Sequence, residues 1–98
     1  MLTPAPSVHY ATGPHGTAVL DVRRARWLML DEDASRIWHA VAARGSTAGL
    51  AEEIAVQTGQ DPRAVSGRIT AFVDELVAAG VLLDTDRLQK ARKRWWRR

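Results

Sequence analysis

The hydrophobic period of the chain changes from that of strands to that of helices at Asp31, and that change limits the fold more than any other feature. Before it, apolar residues alternate or run in segments of strand length. After it, they recur every three or four residues, as on one side of a helix. A chain that places its strands first and its helices second is expected to be α+β, because a parallel sheet needs strands and helices in alternation. The expected sheet is antiparallel and joined by short turns.

Three strands are expected in the first thirty residues. Residues 8–12 are short and mixed, and Gly13-Pro14-His15-Gly16 supplies the glycines and proline of a hairpin turn. Residues 17–22 alternate, with Ala18, Leu20 and Val22 on one face and Val19 and Asp21 on the other, the pattern of a half-buried strand. Arg23-Arg24-Ala25 turns the chain, and residues 27–30 are continuously apolar, so both faces need cover, or one face and a partner.

Asp31, Glu32 and Asp33 provide a cap and the first-turn negative charge that a helix dipole favours, and Ala34, Ile37, Trp38 and Val41 form an apolar stripe ended by Gly45. Ser46 and Thr47 are placed to cap a second, short helix carrying Leu50, Ala51, Ile54 and Ala55, with Gly59 beyond its end. Asp61-Pro62 opens a third helix, whose stripe is Val65, Ile69, Phe72, Val73, Leu76 and Val77 and whose stop is Gly80. Residues 81–83 either rejoin the sheet edge or pack under the helices. The expected fold is α+β and winged helix-turn-helix-like: a three-stranded antiparallel sheet followed by three helices, with the strands as the wing.

The 98 residues, 46% of them hydrophobic, suffice for one small core. Charge divides the chain further. Residues 1–86 carry seven arginines and all eleven acids, a net of −4, whereas residues 87–98 carry seven basic residues and no acid, a net of +7. One domain over 1–86 and a basic tail over 87–98, either disordered or a weak basic helix, are expected. Residues 1–10 lack the basic and apolar regions of a secretory signal, and no run of ~18 apolar residues exists. A cytoplasmic protein without a membrane span is the expectation.

Catalysis finds little support. The absence of cysteine removes disulfides, thiol nucleophiles and cysteine-containing metal sites. His9, His15 and His39 lack metal-ligand spacing, no glycine-rich phosphate loop occurs, and Ser35 and Ser66 have no legible His/Asp partners. The acids at 31–33 lack calcium-loop spacing, and helix capping accounts for them. A non-enzyme with no cofactor and no metal is expected. Trp38 lies on a core stripe; Trp27, beside Leu28, Met29 and Leu30 and preceded by arginines, suits either a core or a recognition edge. The third helix is generously apolar, so some of its stripe is expected to line a groove. Arg68, one turn from both Val65 and Phe72, is either a clamp for a carboxylate or carbonyl at the rim or a solvated surface residue.

The segments Leu20-Asp21-Val22, Arg26-Trp27-Leu28-Met29-Leu30-Asp31, Ala34-Ser35-Arg36-Ile37-Trp38, Leu50-Ala51-Glu52-Glu53-Ile54, Asp61-Pro62 and the run from Phe72 to Leu82 resemble the PqqD-like proteins, precursor-peptide recognition elements of ribosomally made, modified peptides. The resemblance spans residues 8–84, and the chain is similar to the B1 proteins of lasso-peptide pathways. It implies that a leader peptide binds as a strand added to the third strand, with side chains entering the cleft toward the third helix. A B2-type, transglutaminase-like leader peptidase and a cyclase are the implied partners. The implied leader contacts are Arg26, Trp27, Leu28, Met29, Leu30 and Asp31, with Val65, Arg68, Ile69, Phe72, Val73 and Leu76 on the helix. Trp27 and Leu28 stand where many relatives carry paired tyrosines.

The competing class is a winged-helix DNA-binding transcriptional regulator. Residues 61–79, the would-be recognition helix, carry Arg63 and Arg68 against Asp61, Asp74 and Glu75, a net of −1. Phosphate neutralisation supplies most non-specific affinity, and two basic side chains supply little of it. Any DNA retention at low salt is therefore expected to be sequence-independent and to vanish when residues 87–98 are deleted. Gel shifts across a salt series check this, and salt-resistant, sequence-specific binding by the shortened chain would contradict it.

Overall fold

The computed structural model describes residues 1–85 in the order β1 (Leu2–Pro4), β2 (Val8–Gly13), β3 (Gly16–Asp21), β4 (Arg26–Leu30), α1 (Glu32–Arg44), α2 (Leu50–Thr58), α3 (Pro62–Ala78) and β5 (Leu82–Asp84). Strands β2, β3 and β4 form the expected antiparallel sheet in that spatial order, with three helices after them. The basic tail and the domain boundary after residue 86 lie outside the described residues.

Gly13 pairs with Gly16 across Pro14-His15, which makes the first hairpin a two-residue turn. Gly16 has a φ of 144°, and a Cβ there would run into the Leu30 carbonyl, so only glycine lets the start of β3 lie against the end of β4. The pairing of Thr17 with Leu30 and Asp21 with Arg26 follows. Residues 22–25 return the chain, with Ala25 in the left-handed region at φ 52°.

Helix α1 covers the face of β3 that carries Thr17, Val19 and Asp21; Ala18 and Leu20 are half-buried and Val22 is exposed. The covered face is thus the one with fewer apolar residues. Register decides it, because Val19 sits between Tyr10 and Leu28 and is fully buried, while the Asp21 carboxylate is held by hydrogen bonds.

Asp31 caps α1 by accepting from the Ala34 N–H at 2.8 Å, and Asp61 caps α3 by accepting from the Arg63 N–H at 3.0 Å. The start of α2 differs from expectation. Its N-cap is Gly49, which offers no side chain, and Ser46 instead accepts from the Ala48 N–H at 3.1 Å. The Leu50 N–H closes a turn onto the Thr47 carbonyl, so helical geometry begins only at the buried Leu50.

Two buried clusters hold these elements together. One contains Val8, Val19, Leu30, Trp38, Val41, Leu76, Val81 and Leu82; the other contains Ile37, Ala40, Leu50, Ile54, Val65, Ile69 and Val73. Residues 81–83 do not rejoin the larger sheet. Leu82 pairs with Pro4 in a separate antiparallel ribbon, and Val81 and Leu82 pack beneath α1 and α3. The partner strand β1 was not foreseen, and its Leu2 touches both clusters. The Leu2 N–H bonds to Gly45 O at 2.8 Å and the Ala5 N–H to Val81 O at 2.9 Å, which ties the N-terminus to the ends of both long helices.

Trp38 is 0% exposed, packs edge-on to Tyr10 with ring centroids 5.3 Å apart, and has no hydrogen-bond partner for its indole N–H. Its role is volume rather than hydrogen bonding. Trp38→Ala is expected to cost about 3–5 kcal/mol. Trp38→Phe is expected to cost markedly less, since it removes an unsatisfied donor along with part of the ring. Urea denaturation of the two variants checks the ordering.

Candidate functional site

Strand β4 occupies one edge of its sheet and pairs only with β3 among the described residues, so one row of its backbone N–H and C=O groups has no ladder partner. Its side chains divide by alternation. Leu28 and Leu30 face the helices, half-buried and buried respectively, while Trp27 and Met29 stand on the opposite face at 66% and 77% exposure. The apolar run of residues 27–30 therefore has cover on one face only. Asp31, the last expected contact on this segment, is exposed and spent on the α1 cap, and Arg26 is exposed at the other end.

Helix α3 places its expected residues in different settings. Val73 and Leu76 are enclosed, one in each cluster, and anchor the helix. Phe72 is half-buried and touches both clusters. Val65 and Ile69 are buried, and also line a cavity of about 140 Å³ with Asp33, Ile37, Ile54, Gln60 and Arg68. Arg68 is exposed at its rim and donates to the Gln60 side-chain carbonyl. At the opposite end a smaller cavity, about 30 Å³, lies between Asp21, Arg26 and Leu28 on the sheet and Ala79 and Val81 after α3.

That smaller cavity brings in residues that sequence reasoning missed. Asp21 is buried, accepting from Ser7 Oγ at 3.4 Å and from the Arg24 N–H at 3.3 Å, and the Arg24 guanidinium approaches it at 3.5 Å. Arg24 also donates to the Ala79 carbonyl. The available signal was an acid on the less apolar face of a strand three residues before an arginine. Two larger hollows, about 470 Å³ between α1 and α2 and about 500 Å³ beside β1, are lined by no residue of β4, and neither is the cavity of about 140 Å³, which lies among the helices; of these four cavities the one of about 30 Å³ alone includes β4 residues. Among the described residues no group of three or more His, Asp or Glu is placed to hold a metal, and no helix is long and apolar enough to cross a membrane.

An antiparallel three-stranded wing followed by a helix-turn-helix, with an open edge beside the last helix, defines the class of fold. The sequence matches the family of coenzyme PQQ synthesis protein D (PqqD) over residues 16–82, and the chain belongs to that family. Among solved structures, the fold is similar to one described as lasso peptide synthetase B1 complexed with the leader peptide. The TM-score is 0.77 at 22% identity, over 85% of this chain and 98% of the other. It is also similar to TbiB1 in complex with the TbiA(beta) leader peptide, with a TM-score of 0.71 at 20% identity, over 82% of this chain and 93% of that one. A comparison with curated proteins gives no match.

The two faces of β4 differ enough to be separated by mutation. Met29→Asp is expected to stay within about 0.5 kcal/mol of the parent, because the side chain is already in water. Leu30→Asp, which places an unpaired charge in the core, is expected to cost more than about 3 kcal/mol. Thermal denaturation of both variants is the check.

Proposed function

We propose that this protein binds the leader region of a ribosomal precursor peptide, of lasso type, by accepting it as a strand on β4, and that it performs no chemistry itself. The observation that carries the reading is the open β4 edge, apolar and uncovered on its outer face, beside α3. An added strand pairs the free backbone groups whatever its sequence, and its alternate side chains enter the strand-helix cleft, where selectivity arises. The other free edge, β2, suits this less well: its exposed residues are His9, Tyr10, Ala11, Thr12 and Gly13, with no cavity lined by them. That both similar solved structures are described as leader-peptide complexes supports the reading.

In this reading Arg26 to Asp31 supply the strand edge. Leu28, Phe72, Ile69 and Val65 supply the apolar wall and floor, Val73 and Leu76 hold α3 at its distance, and Arg68 meets a leader carboxylate or carbonyl after releasing Gln60. Residues 1–86 form the recognition domain. The bound precursor is delivered to a B2-type, transglutaminase-like leader peptidase and then to a cyclase. The tail, with seven positive charges and Trp95-Trp96, docks the peptidase or another acidic partner, acting mainly on association rate.

Fluorescence anisotropy tests this with a labelled synthetic leader of the precursor encoded in the same gene cluster. Arg68→Ala and Met29→Asp are expected to stay folded and to weaken binding by about three- to tenfold each, equivalent to about 0.7–1.4 kcal/mol. A chain ending at Asp86 is expected to bind the leader as the parent does but to support slower processing by the peptidase at low salt. Both point variants folding and binding as tightly as the parent would contradict the assigned site.

A further inference from the structure

Helix α3 has no basic residue in its last turn, although the unpaired carbonyls there carry partial negative charge. The missing cation arrives from elsewhere in the chain. Arg24, in the loop between β3 and β4, donates to the carbonyl of Ala79, the C-cap of α3, and the same guanidinium nitrogen lies 3.5 Å from the Asp21 carboxylate. Asp21 is 3% exposed and fixed to the sheet, with Ser7 Oγ and the Arg24 N–H as its other donors. One guanidinium thus holds an acceptor on each wall of the cleft.

The local backbone is arranged around this bridge. Gly80 follows the C-cap with φ 77°, and a Cβ on it would collide with the Arg24 guanidinium. The Gly80 N–H bonds to Val77 O and the Val81 N–H to Leu76 O, so the helix ends tightly and leaves the Ala79 carbonyl available. On the sheet side, Ala25 adopts φ 52°, a conformation that residues other than glycine rarely adopt, directly after Arg24. Asp21 and Ala79, the two tethered residues, both line the cavity of about 30 Å³ at the Arg26 end of the cleft. A single water needs roughly 10–15 Å³ of such space, so the cavity takes a small side chain and no more. Leu28 and Val81 make its wall apolar, and the Asp21 charge already has a partner.

We propose that Arg24 is a positioning residue for leader binding: by tying Asp21 to Ala79 it fixes the width of the cleft at the Arg26 end and restricts the leader side chain seated there to a small apolar one, such as Ala or Val. This rests on the leader-binding reading above, and concerns which residue the leader presents rather than whether a leader binds.

The test is anisotropy with a set of labelled synthetic leaders in which each position in turn carries Ala, Val or Phe, read against the parent, Arg24→Gln and Arg24→Lys, each with a thermal melt. The parent is expected to reject Phe at one leader position by about tenfold or more, equivalent to about 1.4 kcal/mol. In both folded variants that penalty is expected to shrink severalfold at the same position and nowhere else. Arg24→Lys is expected to resemble Arg24→Gln, because the lysine side chain is one bond shorter and its ammonium falls short of the point from which Nη1 reaches both Asp21 and Ala79. General destabilisation would weaken all leaders alike without changing the size profile at one position. Folded variants with the parent's size profile would overturn the inference alone. A parent that binds no leader would overturn the leader-binding reading, and this inference with it.

Discussion

The structure depends on the burial of Trp38. Its ring lies where the inward face of the sheet, α1, the end of α3 and the β1–β5 ribbon meet, in one cluster with Val19, Leu30, Val41, Leu76, Val81 and Leu82. Only Asp31 separates β4 from α1, so fixing Trp38 on the second turn of α1 also fixes the direction in which β4 runs and which face it turns inward. Burial of side chains of this size contributes roughly 1.5–3 kcal/mol each, and in a chain of this length few of them are available. The second cluster, around Ile54 and Ile69, closes the helix-turn-helix, and half-buried Phe72 joins the two. The cavity of about 30 Å³ beside β4 lies at the margin of the first cluster, whose Leu28, Ala79 and Val81 line it.

An apolar edge strand with an uncovered outer face is a liability in water, since it offers a template for unintended pairing. Folded chains blunt such edges with prolines, bulges or charges. Here β4 carries Trp27, Leu28, Met29 and Leu30 without interruption, and the nearby charges, Arg23, Arg24 and Arg26 before the apolar stretch and Asp31 after it, flank it rather than interrupt it. Retaining that edge is consistent with a partner strand that covers it part of the time. The mildly acidic balance of residues 1–86 fits a partner other than nucleic acid.

Much of this was legible in the sequence, for physical reasons that also mark where legibility ends. The switch from strands to helices at Asp31, the aspartate caps at 31 and 61 and the inward stripe of α2 are local signals, and each lies where its spacing put it. Strand β1 was not legible because three residues that end in Pro4, with Pro6 just beyond, carry no period, and it exists only through pairing with a segment some eighty residues away. The covered face of β3 went against its composition, because register with Tyr10 and Leu28 outweighs the apolar count of one strand. In the site, the apolar character of residues 27–30 was visible, but not that Trp27 and Met29 are the open pair. The bridge from Asp21 through Arg24 to Ala79 joins residues more than fifty positions apart, which no local pattern encodes.

The central claim is that the leader becomes a strand on β4, and backbone hydrogen exchange followed by NMR tests it most directly. On adding saturating synthetic leader, the amides of Arg26 to Leu30 that point away from β3 are expected to slow by about tenfold or more, in the every-second-residue pattern of a new ladder, while the amides along the outer edge of β2 keep their rates. A leader that binds while leaving every β4 amide at its free-state rate, or that protects β2 instead, would contradict the account.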